Sequence, residues 1–240
     1  MSELSLSDER FFGVGLGIAG FHVSGTSFNA SLPLHEWSLI ELGAVLTSYF
    51  DKPVWALNGG KTGTIAEAMF VVGRYIKDFA YLSFNYGFGG GLICDGELLH
   101  GGNGNAGEFS QMYEDEEITR LRALQIIPER LKAHGVDVPS ITYLRRNFDP
   151  KWPGVVEWLD EIRPAYNRLI NAIWPVYDPQ AIVFGGQIPA GLAEMMIERT
   201  RLYGKPRYGV GRASKLIVSE IKPDAAAMGA AATPFKLTFF

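Results

Sequence analysis

The chain has 240 residues, of which 47% are hydrophobic and 20% are charged, as in ordinary globular proteins. Its net charge is -4 and its basic residues form no strong block, which argues against a chain that grips nucleic acid by itself. Cys94 is the single cysteine, which excludes an intrachain disulfide and a multi-cysteine zinc site. Its position in a predicted strand indicates a buried core thiol.

No apolar run is long enough to span a membrane, and the polar, acidic first ten residues do not resemble a signal peptide. We therefore expect a cytoplasmic protein with no membrane partner. The run FFGVGLGIAGF (residues 11–21) predicts a strand. Its glycines are spaced as in a dinucleotide fingerprint, but no helical pattern follows, so we interpret them as sites of close packing.

A helix is predicted over residues 39–50, and a short buried strand over 53–57. The sequence Asn58-Gly59-Gly60 should break that strand before a helix over residues 62–75. Strand, turn and helix thus follow one another in this part of the chain.

The region from residue 81 to residue 112 predicts a ligand-holding frame. An apolar strand over 81–84 leads into a glycine-dense turn over 87–91, and a second apolar run meets Asp95-Gly96, a strong hairpin signal. A polar loop is predicted over 101–105, and Glu108 follows it. Because glycines let the backbone approach a ligand and a carboxylate accepts hydrogen bonds from hydroxyl groups, this frame suits a small polyol or a phosphate.

The second half of the chain predicts mostly helices. An acidic run at 114–117 should charge the start of a helix over 118–134, rather than bind a metal. Further predicted elements are helices over 140–147, 155–176 and 192–201, strands over 182–184 and 216–221, and a small-residue helix over 225–232. A glycine pair, Gly185-Gly186, follows the first of these strands, where open α/β sheets bind ligands.

The segment from 81 to 112 resembles the ROK family of sugar kinases and sugar-responsive repressors, and a looser similarity extends from Gly13 to Ala232. The resemblance implies an α/β, actin/hexokinase-like (ribonuclease H-like) fold of two lobes. We expect an incomplete first lobe over 1–75, a larger second lobe over 76–222, and a C-terminal helix and tail over 223–240 that pack back toward the first lobe.

The resemblance also implies site residues. Ala106-Gly107-Glu108 matches the family's sugar-holding motif, and the implied sugar-binding residues are Asn58, Glu108 and Gln111. A vestigial second phosphate loop comprises Gly87, Gly89, Gly90 and Gly91. Gly185 and Gly186 would face a nucleotide. The alternatives are that Asn58 is a turn residue with a left-handed backbone, that Glu108 is a plain loop carboxylate, and that the glycine pair is a tight strand exit.

Several positions depart from the family pattern. Gly59 stands where the catalytic aspartate is expected, so we expect no catalytic residue. Ser110-Gln111 replaces the Gly-His of the family, and the zinc cysteines have no counterpart, so no zinc is expected. Asn85-Tyr86 replaces Gly-Thr in the second phosphate loop, where the tyrosine would crowd a nucleotide. The first phosphate loop would precede residue 11, where only ten residues lie.

These departures favour a non-catalytic sugar-sensing domain of a NagC-like transcriptional regulator, whose ligand is a small sugar or amino sugar. One alternative is an ATP-dependent sugar kinase, and only this alternative needs ATP and magnesium as cofactors. Another is a ligand-free remnant that acts through oligomerisation. We expect a homodimer that covers the open edge of the first lobe's sheet. DNA would be bound only through a segment absent from this chain.

Overall fold

The computed structural model of the protein describes residues 11–120, 123–203, 213–222 and 224–239. Its strands are β1 (Val14–Ile18), β2 (Gly20–Ser24), β3 (Ser27–Ala30), β4 (Val54–Asn58), β5 (Phe79–Phe84), β6 (Phe88–Cys94), β7 (Glu97–Leu98), β8 (Ala181–Gly186) and β9 (Lys215–Val218). Its α-helices are α1 (Leu42–Phe50), α2 (Gly59–Phe70), α3 (Asp115–Arg120), α4 (Ile126–Ala133), α5 (Ile141–Asn147), α6 (Val155–Tyr177), α7 (Ala190–Arg199) and α8 (Ala225–Phe239). The predicted mixed α/β class is confirmed.

The largest sheet has five strands in the order β7-β6-β5-β8-β9. The central strand β5 pairs antiparallel with β6 and parallel with β8. Because alternate residues of a strand face opposite sides, Leu82 and Phe84 enter a core shared with α4 to α7, whereas Phe79 and Tyr81 enter a core shared with α2 and α8. Burial on both faces explains why β5 and β8 read as continuous apolar runs.

Two smaller sheets lie on the α2 side. Strand β1 pairs in parallel with β4, and β2 forms an antiparallel hairpin with β3. No other described strand pairs with β1, and its far side borders a groove of about 670 Å³ that Phe12 and α8 help to line. The homodimer that would cover this edge stays a prediction.

Helix α8 packs closely on α2 and β1, as its small residues predicted. A Cβ atom on Gly229 would lie 1.6 Å from the carbonyl oxygen of Thr62, and one on Gly15 would lie 1.7 Å from that of Ala230. Glycine at both positions therefore lets the backbones approach to a distance that any side chain would prevent.

Most predicted elements are present, with ends displaced by a few residues. The hairpin at Asp95-Gly96 is confirmed: the φ angles of +49° and +85° are those that a two-residue type I′ turn requires. Ser140 caps α5 by accepting a hydrogen bond from the Tyr143 amide. The acidic run also behaves as predicted, since three of its carboxylates lie in the first turn of α3.

The glycine-dense turn over residues 87–91 was wrong as a prediction. Gly89, Gly90 and Gly91 belong to β6, and the turn is confined to the residues before it. A Cβ atom on Gly90 would lie 2.1 Å from the carbonyl oxygen of Tyr81, and one on Gly91 would lie 2.4 Å from Oγ1 of Thr64. These glycines are needed because β5 and α2 lie directly against β6.

Two other predictions are corrected. Cys94 is exposed, not a buried core thiol, because its neighbour Ile93 occupies the core face at the end of β6 and the next residue faces the opposite side. The helix predicted over 118–134 is not continuous. It comprises α3, a 3-10 turn at Ala123–Gln125 and α4, and residues 121 and 122 lie outside the described residues.

The strand predicted over 11–21 is two strands, β1 and β2, and α2 begins at Gly59, so that Gly59 and Gly60 open the helix rather than precede it. None of the helices in the described part of the chain combines the length and hydropathy that crossing a bilayer requires. The expectations for residues 1–10 lie outside the described residues, and the lobe boundaries stay a prediction.

Candidate functional site

A cleft of about 370 Å³ opens where β4 ends, α2 begins and β5 turns into β6. The β2–β3 hairpin, which the sequence did not predict, forms another wall. The lining residues, mostly small or polar, are Ala19, Gly20, Phe21, Asn29, Ala30, Ser31, Asn58, Gly59, Gly60, Ser83, Asn85, Gly87, Phe88, Gly89, Glu108 and Ser110. We call this cavity the polar cleft. It brings together four predicted site residues from three separate parts of the chain.

Asn58 joins β2 to the start of α2. Its Oδ1 accepts a hydrogen bond of 2.6 Å from the Gly60 amide, as an N-cap residue does, and its Nδ2 donates one of 2.8 Å to the Gly20 carbonyl. Its φ and ψ angles are -59° and 141°, so the alternative of a left-handed turn residue is wrong. An amide has further hydrogen-bonding capacity, and the predicted contact with a sugar stays a prediction.

Glu108 reaches the polar cleft because of the glycine before it. Gly107 has a φ of +84°, and a Cβ atom there would lie 2.7 Å from the Cα of Gly91. Oε1 of Glu108 is buried and has no hydrogen-bond partner among the described residues. Burial raises the pKa of the Glu108 carboxyl to about 7, while the positive charge of Lys61 lowers it. A buried oxygen without a partner is unfavourable until something donates to it.

The raised pKa predicts how stability depends on pH. Between the ordinary carboxyl pKa of 4.5 and about 7, the folded protein retains a proton on Glu108 that the unfolded chain has lost. The free energy of unfolding therefore falls as pH rises through this window. In Glu108→Gln, which has no carboxyl group to titrate, this decrease should be smaller by about 2 kcal/mol. Urea unfolding of both proteins between pH 4 and pH 8 measures the difference. The prediction would be contradicted if the free energy of unfolding changed with pH by the same amount in both proteins.

Lys61 does not line the polar cleft, but its charge acts on Glu108, and sequence analysis missed it. It is the third residue of α2, is only 2% exposed, and donates a hydrogen bond from Nζ to the Gly104 carbonyl. A positive charge in the first turn of a helix opposes the helix dipole. That mismatch, directly after Asn58-Gly59-Gly60, was the available sequence signal.

The four glycines of the predicted phosphate loop divide into two pairs. Gly87 and Gly89 line the polar cleft, and a Cβ atom on either would have no neighbour within 4 Å. Gly90 and Gly91 do not line it and are required by packing. Tyr86 is 66% exposed and is not among the lining residues, so it does not narrow this cleft.

Gln111 is not brought to the polar cleft. It lies in the 3-10 turn Phe109–Met112, is exposed, and is not among the lining residues, whereas Ser110 is. Successive residues of a 3-10 helix point about a third of a turn apart, so neighbours face different sides. Within the described residues, no cluster of three or more His, Cys, Asp or Glu side chains could hold a metal ion.

Gly59 lines the polar cleft at the first position of α2. A Cβ atom there would have only the Ile18 carbonyl oxygen nearby, at 3.8 Å, so the position has room for a side chain. Glu108 is the one carboxylate among the described lining residues. Glu67 lies deeper in α2, where burial raises its pKa and Ser219 donates a hydrogen bond to it.

A second cavity, of about 550 Å³, lies at the carboxyl end of β8. Gly185 and Gly186 line it, together with the basic residues Arg145, Arg146 and Lys222. The glycines are also required by packing: Gly186 has a φ of +86°, and a Cβ atom on Gly185 would lie 2.4 Å from the Tyr81 ring. Both interpretations of this pair, a ligand-facing turn and a tight strand exit, are thus compatible with the structure.

Comparison with known proteins gives the chain relatives of two kinds. It is 24% identical to a xylose repressor from Caldicellulosiruptor bescii over 90% of this chain and 61% of the repressor. It is 33% identical to a β-glucoside kinase from Listeria innocua over 65% of this chain and 54% of the kinase. The chain therefore spans only about three fifths or less of the length of these curated relatives.

The fold also matches solved structures, among them a sugar kinase. A ROK family glucokinase from Streptomyces griseus, solved with glucose and AMPPNP, superposes with a TM-score of 0.68 at 18% identity, over 93% of this chain and 81% of the glucokinase. The predicted actin/hexokinase-like fold is confirmed by this likeness. Residues 2–120 match the family described as the ROK family. The chain belongs to the ROK family of sugar kinases and sugar-responsive regulators.

Proposed function

We propose that this chain is a non-catalytic sugar-sensing domain of a NagC-like, sugar-responsive regulator. The observation that carries the proposal is a mismatch within the polar cleft. Glu108 offers a buried carboxylate oxygen without a partner, as a hydroxyl-rich ligand requires, whereas Gly59 offers no group that could take a proton from that ligand. The cleft is therefore equipped for binding and lacks a general base at the expected position.

The composition of the polar cleft supports a small sugar as the ligand. Amide and hydroxyl groups of Asn29, Ser31 and Asn85 line it together with Glu108, and they can match the hydroxyl groups of a sugar. Phe21 also lines it and can cover the apolar side of a sugar ring. Such a mixture of few polar groups and an aromatic wall is typical of small-molecule sites.

Regulation of transcription is the wider part of this proposal. The similarity to a xylose repressor extends over 90% of this chain, and it supports the regulatory part of the proposal. DNA binding would belong to a segment outside this chain. A homodimer and a cytoplasmic location complete the proposal.

A thermal-shift screen tests the proposed ligand. The protein is heated with xylose, glucose, N-acetylglucosamine, N-acetylmannosamine and glucosamine, each with and without ATP and magnesium. A sugar present at 100 times its Kd should stabilise the folded state by about 2.7 kcal/mol. We expect one sugar to stabilise the protein with no added effect of ATP. If no sugar changed the melting temperature, the result would instead favour a ligand-free chain that acts through oligomerisation, and light scattering would then test for a dimer.

The second candidate function is an ATP-dependent sugar kinase. The basic cavity beside Gly185 and Gly186 favours it, since Arg145, Arg146 and Lys222 would attract the phosphates of a nucleotide. A kinase must also supply a base, hold the phosphates in line and bind magnesium. Stabilisation that requires both a sugar and ATP would support this candidate.

Gly59→Asp distinguishes the two functions. The new side chain has room, since its Cβ atom would lie 3.8 Å from the Ile18 carbonyl oxygen, and a carboxylate at the start of α2 should stabilise the helix by about 0.3–1 kcal/mol. We expect the variant to fold and to show no ATP-dependent phosphorylation of the sugar by ³¹P NMR, because a base alone does not position a nucleotide.

The matched control is Gly59→Asn, which has the same shape without the charge. Phosphorylation by Gly59→Asp and not by Gly59→Asn would show that only the base was missing. That result would overturn the sensor proposal in favour of the kinase.

A further inference from the structure

Lys61 is buried in an environment that does not favour a positive charge. It is the sole lysine or arginine among the described residues that is buried, and it lies in the first turn of α2, where the helix dipole repels it. Burial lowers the pKa of the Lys61 ammonium, and the negative charge of Glu108 raises it. A buried charge is retained when a partner of opposite charge and hydrogen-bond acceptors compensate it.

The structure provides both kinds of compensation from one loop. Lys61 donates to the Gly104 carbonyl, and Glu108 follows four residues later at the edge of the polar cleft. The same loop is attached to β2 on its other side: Asn105 accepts from the His22 amide at 2.9 Å and donates to the His22 carbonyl at 2.8 Å. The loop that carries Glu108 is thus held between α2 and the β2–β3 hairpin.

We propose that Lys61 is the positioning residue of the polar cleft: its ammonium group fastens the Gly104 loop to α2 and supplies the charge that balances Glu108. This role rests on the proposed sugar site. With Lys61 in place, the pKa of Glu108 is about 7, so about half of the molecules at neutral pH present a carboxylate that accepts hydrogen bonds from hydroxyl groups of a ligand, which a protonated carboxyl does less well.

The titratable groups around this pair are few. Lys61 is the charged group that acts on Glu108, opposing the effect of burial. Desolvation and then the charges of Lys61 and His22 lower the pKa of His100. His22 places its ring nitrogens near the Asn103 and Gly25 carbonyl oxygens. A change at Lys61 should therefore be felt first by Glu108 and second by His100.

The test follows the ionisation of Glu108 in the protein without ligand. The ¹³C signal of its carboxyl carbon is assigned by its loss in Glu108→Gln and is titrated in the parent protein and in Lys61→Met, which keeps the length of the side chain without the charge. We expect the Glu108 midpoint to rise by about 1 pH unit or more in Lys61→Met. The control is Lys77→Met, which removes an exposed lysine paired with Asp95 and should leave the midpoint unchanged.

A midpoint that is the same in folded Lys61→Met as in the parent would overturn the proposal. If Lys61→Met does not fold, Lys61→Met/Glu108→Gln removes both charges. Folding of the double variant alone would support the charge pair, and failure of both would mean that Lys61 acts through packing, which overturns it.

Ligand binding supplies the second measurement. At pH 7, Lys61→Met should bind the stabilising sugar about fivefold more weakly or worse and should regain affinity as pH rises, since the ionised fraction of Glu108 then recovers. A loss of affinity that is the same at every pH would contradict the charge role. Because the titration needs no ligand, a protein that binds no sugar would refute the proposed function and leave the test of Lys61 intact.

Discussion

Replacing Gly229 by alanine is expected to lower the free energy of unfolding by about 3 kcal/mol, the upper end of the usual cost of overpacking. The added Cβ atom would lie 1.6 Å from the carbonyl oxygen of Thr62 and 3.1 Å from the amide nitrogen of Ala66. Both are backbone atoms of α2, so no rotation of a side chain can relieve the clash. The two helices would have to separate.

The consequences should extend to the polar cleft. Helix α2 begins at the residues that line the cleft, and α8 also holds β1 through the contact of Gly15 with Ala230. A displacement of α8 from α2 would disturb the segment that carries Asn58 and Lys61. We therefore expect Gly229→Ala to weaken ligand binding as well as stability.

Urea unfolding measures the effect of Gly229→Ala, with Gly191→Ala as the matched control. Gly191 lies in α7, where a Cβ atom would meet the Phe148 ring at 3.4 Å, an ordinary contact. Alanine is favoured over glycine in a helix by up to about 1 kcal/mol, so the control should be unchanged or more stable. An unchanged midpoint for Gly229→Ala would mean that α2 and α8 do not approach as closely as described.

Replacing Glu108 by alanine is expected to weaken sugar binding by about 10- to 100-fold. A hydrogen bond to a charged group contributes about 1.5–3 kcal/mol, and Glu108 is the one carboxylate among the described residues of the polar cleft. The fold should persist, because the buried Oε1 atom makes no hydrogen bond that the protein would lose. The free energy of unfolding without ligand should fall moderately, because Glu108→Ala leaves the buried ammonium of Lys61 with the Gly104 carbonyl as its compensation.

Calorimetric titration of the stabilising sugar measures the loss. Glu108→Gln is the matched variant, since it keeps the shape of the side chain and can still accept one hydrogen bond. Its affinity for the sugar should lie between that of the parent protein and that of Glu108→Ala. Ser110→Ala removes a neutral hydroxyl group from the same cleft and should weaken sugar binding by a smaller amount of free energy, about 0.5–1.5 kcal/mol. An affinity of Glu108→Ala equal to that of the parent would remove Glu108 from the site and with it the central argument for sugar binding.

Local patterns in the sequence determined much of the fold. The apolar runs of β5 and β8 predicted buried strands because burial on both faces leaves no polar alternation. The Asp95-Gly96 pair predicted its hairpin because few residue pairs tolerate two positive φ angles in succession. The motif ending in Glu108 likewise predicted a residue at the cleft, since only glycine allows the close approach before it.

Tertiary packing decided what the local pattern left open. Gly90 and Gly91 are strand residues rather than turn residues because β5 and α2 leave no space for side chains above them. Gln111 lies outside the cleft because it occupies a different side of a short 3-10 helix from Ser110. The sequence does not specify where such a helix begins to within one residue, and so does not specify which residue faces the cleft.

The contact between Lys61 and the Gly104 loop joins segments that are far apart in the chain. Its partners could not be predicted because a buried charge is compensated by whichever groups the fold brings near it. Sequence determined that a carboxylate stands beside a glycine-rich frame. Only the folded arrangement decided that a lysine from α2 is buried against the Gly104 loop and that its charge acts on Glu108, because desolvation depends on which segments pack together.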